Sequence, residues 1–403
     1  MLTVEVALQK VLTHATKLAP RTHPLEAALG LLLAEPIASD IDSPPHDKAL
    51  VDGYAIQAAD LSTGQAEFEI LEEVTAGDVP RLTVTPGTTT RIMTGAPLPA
   101  GADAVVMIEY SELRDETHLL LVDASAKPNQ NIMRRATSLA KGTTLLHPGA
   151  LLRPIEIGVL AEVGRSQILA TPRPRVACLA TGNELVETSE TPPPGKIRNS
   201  NGPMLAALVA DANATPVALG IAKDEREHLT ECIRKGLESD VLILSGGVSA
   251  GVLDLVPSVL TELGVKEVFH KVQLKPGKPL WFGVWENEDR RVLVFGLPGN
   301  PVSTLVCFHL FVRPALDYLA GRKSSWQTCR AQLTAPFQQR GDRPTFHPAR
   351  MHDLGLGPMV ETVPWRGSGD LAGLLAADSL ALFPAGEESF SPGDEIDVIL
   401  LKA

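Results

Sequence analysis

The second half of the chain alternates strongly apolar strands with helical patterns, and this alternation constrains the fold more than any other feature. The apolar runs are RVACLA, TPVALGIA, DVLILS and VLVFG. They are followed in turn by GPMLAALVADA, EREHLTECIRKGL, LDLVPSVLTELG and VSTLVCFHLFVRPALDYLAG. Strands that are apolar on both faces and alternate with helices are typical of a parallel sheet covered by helices. We therefore predict a central α/β domain over 173–324.

The sequence on either side of this domain has the pattern of small β domains. Residues 46–140 contain short strands such as EFEILEEV and HLLLVD, separated by glycine and proline, which predicts an inserted β-rich domain. The tail over 325–403 ends in the strand-like DEIDVILL and predicts a small C-terminal β domain. The predicted fold class is α/β multidomain.

Helical patterns border the inserted domain. Apolar residues recur with a helical period over 3–17 and 154–163. The segments 1–45 and 141–172 are therefore expected to pack together as an N-terminal linking domain. We also expect a short helix over 22–34.

Composition restricts the possible partners. The formal net charge is −12 and there is no long basic run, which argues against binding to nucleic acid or to an anionic membrane surface. None of the four cysteines forms a CxxC pair, so we expect buried thiols. There is no apolar run long enough to span a membrane and no signal peptide. We expect a cytoplasmic protein.

The stretch LILSGGVSAGVLDLV (242–256) reads as a strand, a glycine-rich loop and a helix. Gly246 and Gly251 are spaced as in a phosphate-binding P-loop, but Val252 stands where that loop needs lysine. A tight turn explains the glycines equally well. Asp254, in the first turn of the helix, is either a dipole-stabilising residue or a catalytic carboxylate.

Three polar loops follow strands of the predicted sheet: 181–184, 245–249 and 296–303. Ligands of open parallel sheets bind at the carboxyl ends of the strands. Asn300 is expected to cap the last helix and Pro301 suits its first turn. One such loop alone is more often structural, but three at one sheet edge predict a binding site.

Charged residues near these loops suit an anionic ligand. Lys275 and Lys278 flank a Pro-Gly turn between the second and third loops, and two cations there would hold an oxyanion. Two carboxylates, Asp52 and Glu184, stand out. A third, Asp224, is placed either to cap a helix or to act in the site. Carboxylates beside phosphate-binding loops would suit Mg²⁺.

Taken together, these stretches resemble the MoeA-type molybdopterin molybdenumtransferases, a family that includes the E domain of gephyrin. The matching stretches run in family order from about 44 to 384. They are PPHDKALVDGYA, RIMTGAPLPAGADAVVMIE, LATGNEL, IRNSNGPML, LSGGVSAGVLD, LKPGKP, GLPGNPVS and GSGDLAGL. The resemblance implies insertion of molybdate into adenylylated molybdopterin, with release of AMP and with Mg²⁺ assisting. It also implies an elongated four-domain protomer in a homodimer, with a composite active site.

The resemblance assigns roles residue by residue. Molybdate binding falls to Lys275, Lys278, Arg343 and Ser368. The pterin and phosphate pocket is assigned to Gly246, Gly247, Ser249, Pro298, Gly299, Asn300 and Pro301. The residues expected to be catalytic are Asp52, Thr94, Glu184, Asp224 and Asp254. Of these, Glu184 and Asp254 are expected to hold Mg²⁺.

One departure from the family pattern keeps other functions open. The stretch 135–138 reads Arg-Ala-Thr-Ser, where the family often has Arg-Gly-Glu-Asp, so an acidic position is lost at Ser138. A non-catalytic molybdopterin-binding scaffold is therefore one alternative. Molybdopterin adenylyltransferase is another, although it needs only the α/β domain. Such an adenylyltransferase and molybdenum enzymes are expected protein partners, and the sequence does not distinguish molybdate from tungstate.

Overall fold

The computed structural model describes all residues except Thr63, 248–254, Ser325, Leu354, Leu356 and 402–403. Ser249 and Asp254 of the predicted site therefore lie outside the described residues. The chain forms two compact units. The first unit contains Met1–Thr22, Gly30–Leu32 and Leu169–Ala403, and the second contains His23–Leu29 and Leu33–Ile168.

The first unit contains a six-stranded sheet. Its strands, in spatial order, are Thr215–Ala222, Arg175–Thr181, Val241–Ser245, Arg291–Leu297, Trp281–Glu286 and Lys266–His270. The first four run parallel, which confirms the predicted parallel sheet. The last two are antiparallel additions that we did not predict. A turn residue could have indicated the antiparallel hairpin formed by Trp281–Glu286 and Arg291–Leu297. In the turn between these strands, the Asn287 side chain accepts hydrogen bonds from the backbone of Asp289 and Arg290.

Helices cover this sheet on both faces. Those of the described residues are Val4–His14, Asn201–Asp211, Arg226–Gly236, Val256–Glu262, Pro301–Cys307 and Arg313–Leu319. Alternate residues of one strand enter different cores: Val176 packs on one side of the sheet and Ala177 on the other, and both are fully buried. This two-sided burial explains why the strands read as unbroken apolar runs.

A π-helical turn over Phe308–Val312 interrupts the last helix of the sheet. Pro314 has no N–H to offer Leu310, four residues earlier, and the indole N–H of Trp326 donates to the Leu310 carbonyl instead, at 3.0 Å. The helical stretch Pro301–Leu319 has a mean hydropathy of 1.2, high enough for a membrane span, but 78% of its apolar window is buried inside the structure. It is a core helix.

The C-terminal part of the first unit is a closed five-stranded barrel, in agreement with the predicted β character. The strand order is Thr328–Leu333, Pro358–Thr362, Thr345–Asp353, Ser379–Phe383 and Glu395–Leu400. A separate two-stranded antiparallel sheet pairs Phe337–Gln339 with Glu388–Phe390. A 3₁₀ turn covers Ala372–Ala376, and a short parallel pair joins Leu185–Val186 to Ile197–Arg198.

The second unit is built around a six-stranded sheet, as the alternating pattern predicts. Its order is Ala104–Met107, Gly53–Ile56, Thr88–Ile92, Ala66–Val74, His118–Leu121 and Ser111–Leu113. Two short pairs join Lys48–Ala49 to Ile132–Met133 and Ile37–Ala38 to Thr144–Leu146. Among the described residues of this unit, a helix covers Pro154–Glu162, and 3₁₀ turns cover Leu25–Ala27, Ala58–Leu61 and Ile108–Tyr110.

The segment around residues 22–34 corrects our prediction of a helix. It forms a strand at Arg21–Pro24, the turn at Leu25–Ala27 and a strand at Leu32–Leu33. Pro24 disfavours a helical residue before it, and Gly30 has a φ of 77°. A further strand covers Gln167–Thr171.

The helix Val4–His14 packs in the core of the first unit, and the bounds of the four predicted domains stay a prediction.

Candidate functional site

A cavity of about 550 Å³, lined by both polar and apolar groups, lies at the carboxyl edge of the parallel strands in the first unit. We call it the loop pocket. Three of its walls are the predicted loops, and a fourth is a polar run that precedes the helix Asn201–Asp211. Its lining residues are Thr181, Glu184, Leu185, Ile197, Arg198, Asn199, Ser200, Asn201, Ser245, Gly246, Gly247, Pro279, Pro298, Gly299, Asn300, Pro301 and Gly369.

The glycines of the second loop are required by packing. Gly246 has a φ of 99°, and a Cβ atom there would stand 2.5 Å from the Thr181 carbonyl oxygen. A Cβ atom at Gly247 would stand 2.7 Å from a methyl carbon of Val256. The Gly246 N–H already donates to the Leu297 carbonyl at 3.1 Å. Because that donor is occupied, Gly246 lines the pocket as close-packed backbone and not as a phosphate-cradling N–H.

Asn201 fastens two of the loops together. Its Nδ2 donates to the Ser245 hydroxyl and to the Gly299 carbonyl, both at 2.7 Å. Its Oδ1 is buried without a partner among the described residues. The stretch containing Asn201 matched the family motif, yet we assigned it no role. The signal was a polar run, Arg-Asn-Ser-Asn, at the start of an apolar helix.

The carboxylate of Glu184 lies on the pocket wall, folded over Gly182. A Cβ atom at Gly182 would stand 2.5 Å from it, so the glycine makes room for the carboxylate. Asp224 accepts from the Asn183 N–H at 3.2 Å, and the Asp224 N–H donates to the Asn183 side chain at 3.1 Å. The helix that follows begins at Arg226 without a side-chain cap. Asp224 therefore fixes the first loop and does not cap a helix.

The two predicted lysines lie on a turn that borders the pocket, Leu274–Pro279, which we call the lysine turn. Lys275 is half-buried and Lys278 is exposed, while Pro279 lines the pocket. Because the pocket edge and the two cations belong to one short turn, an oxyanion bound at the turn would lie next to the pocket.

The barrel holds the lysine turn and brings Arg343 to it. The Lys275 N–H donates to the Pro344 carbonyl at 3.0 Å, and the Phe346 N–H donates to the Lys275 carbonyl at 2.8 Å. The Arg343 guanidinium donates to the Leu274 carbonyl at 2.8 Å. Three of the four residues assigned to molybdate therefore lie on segments that are hydrogen-bonded to each other.

The fourth, Ser368, lies against the loop Pro298–Pro301. The Asn300 side chain donates to the Ser368 hydroxyl at 2.8 Å, and the Val302 N–H donates to the Ser368 carbonyl at 3.1 Å. Asn300 occupies the cap position and Pro301 the first turn, but the Asn300 side chain makes no capping hydrogen bond. Our expectation of a side-chain cap was wrong: the Asn300 side chain is directed to Ser368, and the Val302 N–H, which a cap would accept from, donates to the Ser368 carbonyl instead.

Asp52 and Thr94 meet in the second unit. The Asp52 carboxylate accepts from both the N–H and the hydroxyl of Thr94, each at 2.7 Å. These hydrogen bonds lower the pKa of the Asp52 carboxyl, the backbone one most. Although 42 residues separate them in the chain, the two form one exposed, ordered carboxylate site.

Comparisons with known proteins place this arrangement in a family. Three family models match: "MoeA N-terminal region (domain I and II)" over residues 2–164, "Probable molybdopterin binding domain" over 177–318 and "MoeA C-terminal region (domain IV)" over 330–401. The molybdopterin molybdenumtransferase of a Nostoc species is 36% identical, over 94% of this chain and 88% of that protein. The chain belongs to the molybdopterin molybdenumtransferase family.

Other relatives agree. The molybdopterin molybdenumtransferase of Staphylococcus epidermidis is 31% identical over 100% of this chain and 96% of its own. A crystal structure described as the molybdopterin biosynthesis MoeA protein of Pyrococcus horikoshii superposes with a TM-score of 0.80 at 32% identity, over the whole of both chains. The MoeA-type fold therefore extends through the full length of this chain.

The stretch that departs from the molybdenumtransferase pattern is anchored by two carboxylates. Asp42 accepts from the Arg135 guanidinium at 2.6 Å and from the Lys141 N–H at 2.7 Å, while Asp47 accepts from the Arg135 N–H at 2.8 Å. These contacts lower the pKa of both carboxyls, the backbone donors most. Ser138 itself donates its N–H to Ser43. The loss of an acidic residue at Ser138 thus leaves the local backbone hydrogen-bonded.

The resemblance implies a magnesium ion, so we consider which side chains of the pocket could bind one. Among the described residues, no three His, Cys, Asp or Glu side chains come together as a metal cage. Of the lining residues that the structure describes, Glu184 is the one that carries a carboxylate. Mg²⁺ in phosphate-binding sites is usually held by one or two carboxylates, substrate phosphate and water. The residues present fit that mode of binding, with Glu184 as the protein ligand.

Proposed function

We propose that this chain inserts molybdate into adenylylated molybdopterin and releases AMP, as a homodimer with a composite site. As a member of its family, it is a transferase of molybdenum cofactor biosynthesis. One observation carries the proposal: the lysine turn shares Pro279 with the wall of the loop pocket. A single cavity thereby has close-packed walls of mixed polarity suited to a pterin and a basic border suited to an oxyanion.

The chemistry of the border suits molybdate. Molybdate is a dianion, and charge-assisted hydrogen bonds from ammonium and guanidinium groups are the strongest available to it. Lys275, Lys278 and Arg343 supply such donors, and Ser368 supplies a hydroxyl. Tungstate has the same charge and shape and would be held by the same donors.

Cleavage of the phosphoanhydride calls for neutralisation of charge and for positioned donors. Magnesium, when bound, would neutralise phosphate charge, with Glu184 as its protein ligand beside the proposed contribution of Asp254. The Asp224–Asn183 pair holds the loop that carries Glu184. These residues order the pocket before substrate enters, so little reorganisation is needed during the reaction.

We propose that Asp52 and Thr94 contribute to the site across a dimer, as the resemblance implies. Two hydrogen bonds already fix the Asp52 carboxylate within its own unit, which supports a role for it as an ordered anion in a composite site. We expect the dimer to act in the cytoplasm, to receive its substrate from a molybdopterin adenylyltransferase, and to pass its product to molybdenum enzymes.

The test is an assay of the purified protein with adenylylated molybdopterin, Mg²⁺ and molybdate. We expect AMP release that depends on molybdate, together with active cofactor measured by reconstitution of a molybdenum enzyme. Tight binding without AMP release would instead indicate a scaffold. Adenylylation of free molybdopterin by ATP would indicate the adenylyltransferase.

A further inference from the structure

Ser368 is held at two points by the loop Pro298–Pro301 and the helix that follows. Its carbonyl accepts from the Val302 N–H, one of the donors that a helix N-terminus leaves without an intrahelical partner. Its hydroxyl oxygen accepts from Asn300 Nδ2 at 2.8 Å. The next residue, Gly369, lines the loop pocket together with Asn300. Ser368 is therefore fixed at the edge of the pocket.

The direction of the Asn300 hydrogen bond decides what Ser368 can do. A serine hydroxyl has one proton to donate and two lone pairs that accept. An amide N–H2 group can only donate, so it occupies a lone pair of Ser368 Oγ and leaves the hydroxyl proton for another acceptor. A hydroxyl that already accepts a hydrogen bond is also the stronger donor, because hydrogen bonds in a chain polarise one another.

We propose that Asn300 is a positioning residue for the molybdate site. By donating to Ser368 Oγ, it directs the Ser368 hydroxyl proton towards a molybdate oxygen. The inference rests on the proposed function, and it gives Asn300 a role through Ser368 in place of a contact with the pterin.

The loop does not need the Asn300 side chain to keep its shape. The Thr304 hydroxyl donates to the Pro298 carbonyl at 2.6 Å, and the Thr304 N–H donates to the Asn300 carbonyl at 3.0 Å. Thr304 is fully buried. Variants of Asn300 are therefore expected to fold with the loop in place.

Two substitutions test the proposal. Asn300→Asp has the same shape, but its carboxylate accepts the Ser368 proton and so turns it away from molybdate. Asn300→Leu removes the donor without adding charge. We expect the KM for molybdate to rise about tenfold in Asn300→Asp, which corresponds to one charged hydrogen bond, and two- to fivefold in Asn300→Leu. The KM for adenylylated molybdopterin should rise by a smaller factor than the KM for molybdate in both variants.

A double-mutant cycle with Ser368→Ala separates positioning from other effects. If Asn300 acts through Ser368, Asn300→Leu should have no further effect on the molybdate KM once Ser368→Ala is present. Fully additive effects, or a rise confined to the KM for adenylylated molybdopterin, would overturn the inference while the proposed function stood. A wild-type protein without molybdate-dependent AMP release would overturn both.

Discussion

The loop pocket and the Asp52–Thr94 site order their polar groups by different means. In the pocket, Asn201 is buried and bonds to Ser245 and Gly299, which are 44 and 98 residues away in the chain. Asp52 is an exposed carboxylate that one neighbour holds. A buried network is sensitive to any atom added to it, whereas exposed hydrogen bonds contribute little to stability. Substitutions in the two sites should therefore differ sharply in effect.

The largest effect is expected from Gly246→Ala. The new methyl group would meet the Thr181 carbonyl, and alanine tolerates a φ of 99° poorly. Overpacking and backbone strain together should lower the free energy of unfolding by about 3 kcal/mol and abolish AMP release. Denaturant unfolding measures the first effect. Gly220→Ala is the matched control, since Gly220 also has a positive φ, of 77°, but has open space around it.

The next largest effect concerns the border of the pocket. Lys275→Ala combined with Lys278→Ala should raise the KM for molybdate about 100-fold, because each charge-assisted hydrogen bond contributes about 1.5–3 kcal/mol. Binding of adenylylated molybdopterin should be largely retained, as measured by titration calorimetry. Lys235→Ala with Lys266→Ala removes two exposed lysines of ordinary ion pairs and should leave both constants unchanged. An unaltered dependence on molybdate in the first variant would contradict the assignment of these lysines.

A third prediction concerns the buried histidine His309 and the dependence of stability on pH. Burial, and to a lesser degree the nearby Arg313, lower the pKa of His309 to about 4, while Asp211 acts in the opposite direction. The unfolded chain therefore binds a proton at higher pH than the folded protein does. Stability should fall as the pH drops from about 6.5 to about 4, by on the order of 2 kcal/mol from this residue.

His309→Leu should flatten the dependence of the free energy of unfolding on pH in that window. His147→Leu, at an exposed position, serves as the control and should leave the slope as it is in the wild type. Equal slopes in His309→Leu and the wild type would show that other groups cause the acid sensitivity.

The smallest effect is expected at the exposed site. Thr94→Val removes the hydroxyl donor to Asp52 but keeps the backbone donor, which lowers the pKa of the Asp52 carboxyl more. The pKa of Asp52 should rise part of the way to its ordinary value, as followed by NMR titration, with little change in thermal stability. Thr94→Ser keeps both donors and should titrate like the wild type. A large loss of stability in Thr94→Val would contradict the expected difference in sensitivity between the loop pocket and the Asp52–Thr94 site.

The sequence predicts what burial and periodicity determine, and it fails where a side chain has a choice of partners. Unbroken apolar runs such as 241–244 identified the parallel sheet because burial on both faces of a strand favours apolar side chains throughout. Asn300 was expected to cap a helix, and capping was one of the two roles left open for Asp224; each instead bonds to a residue on another loop. Propensity describes only local partners, whereas Ser368 and Asn183 reach these positions through the tertiary fold.

In the candidate site, too, the sequence predicted some features and missed those that depend on tertiary contacts. Sequence motifs identified the lysine turn, Arg343, Ser368 and the three loops as parts of one site. In the structure these segments contact each other or line one cavity. Asn201 received no role, because nothing in the neighbouring sequence indicates partners that lie 44 and 98 residues away. Its actual partners are set by how closely the strands that carry the loops approach each other.

The π-helical turn at Phe308–Val312 has a consequence for how the last helix meets its surroundings. One inserted residue advances the phase of a helix by about 100°, so the apolar stripe before the turn and the stripe after it point in different directions. All five residues of the turn are buried. A helix that is apolar nearly all round can thus be enclosed by protein on successive sides, and Pro314, by omitting a single donor, sets the residue at which the stripe changes direction.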